Sequence, residues 1–143
     1  MKYIKLPLDL YSMAKGAPNK TCSLEESIAQ YLMMQITCRY GEVVGKQDFG
    51  SAIWELEFNQ LVKIYEWEET VRKSLEDTIR KYEKRIINLD VNVDLSEVDT
   101  DISLSKGFSE IRRQAIISVS GNLKHSGVKF NFNTTLFVSP LSQ

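Results

Sequence analysis

The sequence has little of what most catalytic or metal-binding sites are built from. It holds one histidine, His125, and two cysteines, Cys22 and Cys38. One imidazole and two separated thiols do not give the ligand spacing of a zinc site. Without a CxxC pair or a larger cysteine set there is no disulfide framework, so free thiols in a reducing cytoplasm are expected. A histidine-based triad would have to use His125, which lies between Lys124 and Ser126 in an expected turn. Charge of one sign is also lacking: 18 basic residues face 19 acidic ones, for a net charge of -1. Phosphate neutralisation needs a basic surplus, so no nucleic-acid partner is expected. No run approaches the roughly 18 apolar residues of a membrane span. The start, MKYIKLPLDLYSMAKG, is broken by Pro7 and Asp9 and lacks the apolar core of a signal peptide. The glycines include no GKS/T and no GxGxxG after a strand, so no nucleotide, other cofactor or small-molecule substrate is expected.

What is present is ordinary for one soluble domain. The chain has 143 residues, 43% of them apolar and 26% charged, enough for one core and too few for two. Residues 1–22 are turn-rich, yet Tyr3, Ile4, Leu6, Leu8, Leu10 and Tyr11 are too apolar for a solvated tail. They are expected to form an extended arm, with a single α+β domain over 23–143. Ser23 to Glu26 matches a capping box, and Leu24, Ile28, Leu32 and Ile36 come after it at helical spacing, predicting a helix from Leu24 to Ile36. Gly41, Gly45 and Gly50 mark turns, and a short helix is expected over 51–58 with Ile53, Trp54 and Phe58 inward.

Ile64, Trp67, Val71, Leu75, Ile79, Tyr82 and Ile86 recur in steps of three or four and predict one long amphipathic helix. Its other face carries Glu68–Arg72, Glu69–Lys73, Glu76–Arg80 and Asp77–Lys81, acid-first pairs four apart. Strand alternation comes next: Leu89, Val91, Val93 and Leu95 face one way, and residues 96–110 are polar and predict a loop. Ile111–Ser120 and Val128–Val138 alternate again around a hairpin at 121–127. Together these give an α+β layer, a helix on a small, mostly antiparallel three-stranded sheet. The last strand has no internal proline and one charge, Lys129, so its edge is not blunted. With Val128, Phe130, Phe132, Thr134 and Leu136 on one face, it can take a partner's strand; alternatively the N-terminal arm covers it.

Two segments carry a resemblance. Gly41-Glu42-Val43-Val44-Gly45-Lys46-Gln47-Asp48-Phe49-Gly50-Ser51 resembles the G-E-R…(P)-D-[FY]-G-S stretch of the phage-type baseplate wedge family. Tyr82-Glu83-Lys84-Arg85-Ile86 before Leu89-Asp90-Val91-Asn92-Val93 resembles its Y-E-P-R-I…L-x-V-x-V passage. The likeness spans about residues 24–138. It implies a structural, non-enzymatic subunit of a contractile injection machine, most closely of the type VI secretion kind. Such a subunit would dock on a helical core bundle of other wedge proteins and template the first sheath ring. By position, Tyr82, Glu83, Lys84 and Arg85 would meet the core bundle, while Gly41, Glu42, Asp48, Phe49 and Gly50 would serve as a turn motif. Lys84 stands where the family has proline, and proline would interrupt the helix. With lysine there the helix is expected to run to about Ile87, placing Glu83 and Arg85 on opposite margins of the apolar stripe. Without the resemblance the same two residues read as a local ion pair near a helix C-terminus. The family has also been called lysozyme-like; the competing expectation is a peptidoglycan hydrolase using a carboxylate such as Glu83, Glu42 or Asp48.

Overall fold

The computed structural model describes residues 2–55, 64–100 and 110–138. It is an α+β protein. A short strand β1 (Tyr3–Ile4), a five-residue helix α1 (Leu10–Ala14) and a strand β2 (Thr21–Cys22) come first. Helix α2 (Leu24–Thr37), a single 3-10 turn (Ala52–Trp54) and the long helix α3 (Ile64–Tyr82) succeed them. Strands β3 (Ile86–Thr100), β4 (Glu110–Leu123) and β5 (Lys129–Val138) complete the order.

Residues 2–22 are therefore not a plain extended arm. β1 and β2 pair antiparallel, and between them Asp9 caps α1 by accepting from the Ser12 amide at 3.1 Å. This loop is tied to α2 by the Gln30 amide, which donates to the Ile4 carbonyl at 3.0 Å and accepts from the Leu6 amide at 2.8 Å.

Helix α2 starts where the capping box predicted, with the Ser23 hydroxyl accepting from the Glu26 amide at 3.2 Å. Its buried face is Ile28, Leu32, Gln35 and Ile36. Helix α3 turns Trp67, Val71, Leu75 and Ile79 inward, the stripe that its period requires. Of the expected ion pairs Glu76–Arg80 forms, at 2.8 Å, whereas Arg72 bridges Glu69 and Glu76 in place of Glu68, and Lys81 pairs with Asp48 in place of Asp77. The turn at 52–54 is one 3-10 turn with Ile53 buried; Phe58 lies outside the described residues.

The sheet order is β3-β4-β5, antiparallel throughout. Its inner face, with Val91, Val93, Leu95, Ala115, Ile117, Val119, Phe130 and Val138, joins the buried faces of α2 and α3 in one apolar core. Burying such side chains contributes about 1.5–3 kcal/mol each relative to exposure. Of the loop expected at 96–110, residues 96–100 and 110 belong to strands, and 101–109 lie outside the described residues. β3 runs to Thr100 and β4 begins at Glu110, because an antiparallel ladder satisfies the backbone of polar residues as well as of apolar ones.

Candidate docking site

The two motif segments, far apart in sequence, meet in space. The loop from Arg39 to Ser51 is closed by its own backbone: the Gly41 amide donates to the Gln47 carbonyl at 3.0 Å and the Ser51 amide to the Cys38 carbonyl at 3.1 Å. Glu42 points back into this loop and accepts from the Arg39 amide at 3.0 Å. Phe49 is buried, with its ring centroid 5.8 Å from that of Tyr31 and 5.2 Å, edge-on, from that of Tyr82. Asp48 accepts from both the Lys81 ammonium and the Tyr82 hydroxyl. Hydrogen bonds from Lys81 and then Tyr82 hold its carboxyl below the usual range. Gly50 has φ 145, and a Cβ there would stand 2.8 Å from the Cys38 carbonyl oxygen and 2.9 Å from the Arg39 carbonyl carbon. No other residue fits without moving backbone. The Gly50 carbonyl in turn accepts from the Thr78 hydroxyl at 3.0 Å. The loop is thus bolted to the last two turns of α3.

Those turns end sooner than expected. The last helical bond runs from the Glu83 amide to the Ile79 carbonyl at 2.8 Å, and α3 stops at Tyr82. Lys84 does not prolong the helix, because the Glu83 side chain captures both the backbone and the side chain of Arg85. Glu83 Oε1 accepts from the Arg85 backbone amide at 3.0 Å and from Arg85 Nε at 2.8 Å, and its Oε2 from Nη2 at 2.7 Å. A side chain that bonds a backbone amide two residues on competes with the helical ladder. Glu83 and Arg85 are therefore not on two margins of a helical stripe, and Ile86 already belongs to β3. Glu83 is 3% exposed, so it faces inward and a partner cannot grip it directly.

Arg85 remains reachable, its side chain 29% exposed. Nη1 donates to the Ser27 hydroxyl at 2.9 Å, and the Tyr3 ring lies 5.5 Å from the guanidinium carbon. The bonds from Glu83 raise its pKa further above an already high value, so Arg85 is a fixed cation. With Leu6, Ser27, Gln30, Tyr31 and Met34 it lines a concavity of about 270 Å³. Lys84 is exposed and its ammonium caps the Arg80 carbonyl at 3.0 Å. The sequence resemblance pointed to Tyr82–Arg85 but not to Ser27, Tyr31 or Tyr3. The available signal was the spacing of Ser27 and Tyr31, one turn apart on the border of the α2 stripe.

The second candidate feature is the sheet border. β5 is an edge strand among the described residues. The Leu123 amide donates to the Val128 carbonyl at 2.8 Å, and the register from Asn122↔Lys129 to Arg113↔Val138 is unbroken. Bonded and non-bonded pairs alternate in an antiparallel ladder. The main-chain groups of Phe130, Phe132, Thr134 and Leu136 thus point to β4, and their side chains are buried or half-buried against the core. Val128 precedes the strand in the turn and is exposed. The groups on the open border belong to the alternate set, Lys129, Asn131, Asn133, Thr135 and Phe137. Sharing a side-chain face, which the sequence showed, does not say which residues present amides outward. The opposite border is blunted: β3 carries a register shift between Ile87 and Asp90, and Glu68 from α3 accepts from the Leu95 amide at 3.3 Å.

The three carboxylates considered for hydrolysis each accept hydrogen bonds: Glu42 from the Arg39 backbone amide, Asp48 from Lys81 and Tyr82, Glu83 from Arg85. A general acid needs a raised pKa, and that of Asp48 is lowered. His125 is an exposed turn residue. Among the described residues no group of three or more His, Cys, Asp or Glu side chains could hold a metal ion, and no helix is long and apolar enough to cross a membrane.

Comparison with known proteins gives two findings. The sequence profile described as Baseplate wedge protein gp25 matches residues 22–127. The fold is similar to the crystal structure of a protein from Geobacter sulfurreducens that carries the provisional name tail lysozyme. The TM-score is 0.58 at 17% identity, covering 87% of this chain and 100% of the other. At that identity the likeness is one of fold. No curated protein sequence matches.

Proposed function

We infer the role of this chain from one premise, that it belongs to the baseplate wedge protein gp25 family. Membership implies interaction with other baseplate proteins. On this reading the chain is a structural subunit of a contractile injection machine of the type VI secretion kind, working in the cytoplasm without cofactor or catalytic activity. It docks on a helical bundle of other wedge subunits through the Arg85 concavity, and it offers β5 to a sheath subunit as the border of the first ring. The observation that carries this reading is the open border of β5, uninterrupted by bulge or proline and lacking a neighbouring strand among the described residues. Such a border supplies main-chain bonds for strand addition. The fixed guanidinium of Arg85 supports the docking half: its fork is held by Glu83 and Ser27, so little side-chain entropy is lost when a partner is met.

The test uses the other wedge subunits and the sheath subunit as purified proteins. Wild-type chain is expected to capture the wedge subunits and to shorten the lag of sheath polymerisation. Arg85→Lys keeps a cation beside Glu83 but loses the fork, and it is expected to weaken capture about tenfold. Undiminished capture by this variant removes the docking role of Arg85, and an unchanged lag with saturating wild type removes templating. Turnover of cell-wall polymer that is abolished by Glu83→Gln would instead establish a hydrolase.

A further inference from the structure

Beside the Glu83–Arg85 turn lies a second recess, which shares no lining residue with the Arg85 concavity. It has a volume of about 360 Å³ and lies between the end of α3, the start of β3 and the β4–β5 turn. The Lys124 amide donates to the Arg85 carbonyl at 2.8 Å, which fixes that turn beside the motif. Ile79, Ile86 and Leu89 line the recess, and Arg80, Lys84 and Lys124 surround it; all three cations are exposed. Arg80 shares Glu76 with Arg72. Among the described residues neither Lys84 nor Lys124 has a carboxylate partner, and the one carboxylate in the lining, Glu83, is committed to Arg85. Ile87 adds an exposed aliphatic side chain at the rim.

A chain with net charge -1 that places Lys84 and Lys124, both without a carboxylate partner among the described residues, over an aliphatic floor has a local charge its overall balance does not suggest. We propose that this recess is a second docking site, which takes an acidic segment of a partner protein whose carboxylates meet Lys84 and Lys124 while an aliphatic side chain enters between them. A bilayer meets what projects from a protein, and this site is recessed. A nucleic acid needs a longer basic track than three cations on one rim. A peptide with carboxylates flanking a leucine fits both charge and shape. The site is separate from the Arg85 concavity, being lined by Arg80, Lys84 and Lys124 instead of Ser27, Tyr31 and Met34.

The partner is sought among baseplate proteins, and to that extent the inference rests on the proposed function; the assay contains this chain alone, so the two fail separately. A fluorescein-labelled peptide of glutamate and leucine is titrated with the full chain by anisotropy. A lysine–leucine peptide, single-stranded oligothymidylate and phosphatidylglycerol vesicles serve as competing probes. Saturable binding of the acidic peptide is expected, weakening as ionic strength rises from about 0.1 M to about 1 M and the screening length falls from about 10 Å to about 3 Å. Lys84→Glu with Lys124→Glu is expected to weaken it about tenfold. Lys2→Glu with Lys20→Glu, the same charge change outside the recess, is expected to stay within about twofold. Thermal melts verify folding, and Lys84→Gln with Lys124→Gln replaces the reversal if that variant does not fold. No binding, or equal weakening by the two charge reversals, overturns the site. Stronger binding of oligothymidylate or vesicles, lost in the same variant, overturns the peptide as occupant.

Discussion

At the scale of single residues, the asymmetry between Glu83 and Arg85 decides what each substitution does. Glu83 is 3% exposed, whereas the Arg85 side chain is 29% exposed and also has Ser27. Removing Arg85 strands a buried carboxylate, and removing Glu83 leaves a cation that still reaches water. Breaking a fully buried pair costs about 3–5 kcal/mol; with partial solvent screening Arg85→Ala is expected to cost about 2–3 kcal/mol, and Glu83→Ala less. Urea unfolding of the two variants checks the order, and a larger loss for Glu83→Ala would contradict it. Asp48 gives a pH test. Its folded pKa is lowered from 3.8 by Lys81 and Tyr82, so its contribution is present above the unfolded value and is lost as pH falls through the folded one. Wild type is expected to melt above Asp48→Asn near neutral pH, with the two curves converging below about pH 4. The sequence showed that Glu83 and Arg85 could pair locally. It did not show that Glu83 would turn inward, because that depends on a side chain taking the Arg85 amide from the helix.

At the scale of elements, hydrophobic period did most of the work and failed where it carries no information. Steps of three and four located α3, and alternation located three strands, because both patterns report which side chains meet the core. Period says nothing about polar residues within a ladder, which is why β3 and β4 are longer than expected. Nor does it say which amides face the open border of β5. Only the Leu123–Val128 bond at the hairpin decides that. The alternation makes a sharp pair of variants. Asn133→Pro removes an amide hydrogen that faces outward, so the ladder to β4 keeps its bonds and the protein is expected to fold. Thr134→Pro removes one that faces β4, which sheets tolerate poorly, at an expected cost of about 3 kcal/mol. If strand addition is the function, Asn133→Pro is also expected to lose sheath seeding at near-wild-type melting temperature. Equal stability of the two variants would contradict the alternation of inward and outward amides along β5.

At the scale of the whole molecule, the distribution of burial separates a core from an appendage. Among the described residues, every buried residue of the apolar core lies between Ile28 and Val138, in α2, the 3-10 turn, α3 and the three strands. No described residue before Ile28 is buried. The segment up to Cys22 is attached instead by polar and ring contacts: the Gln30 amide gripping Ile4 and Leu6, and Tyr3 over Arg85. Hydrogen bonds of this exposed kind contribute about 0.5–1.5 kcal/mol each, net, and ordering about twenty residues opposes them. Deleting residues 2–21 is therefore expected to leave a cooperatively folding protein, less stable by no more than about 2 kcal/mol. The same deletion removes Leu6 from the wall of the Arg85 concavity and the Tyr3 ring from beside the Arg85 guanidinium, so partner capture is expected to change far more than the unfolding midpoint. A collapse of the cooperative transition on deletion would mean that the segment is part of the core after all, held by apolar contact that its exposure does not reveal.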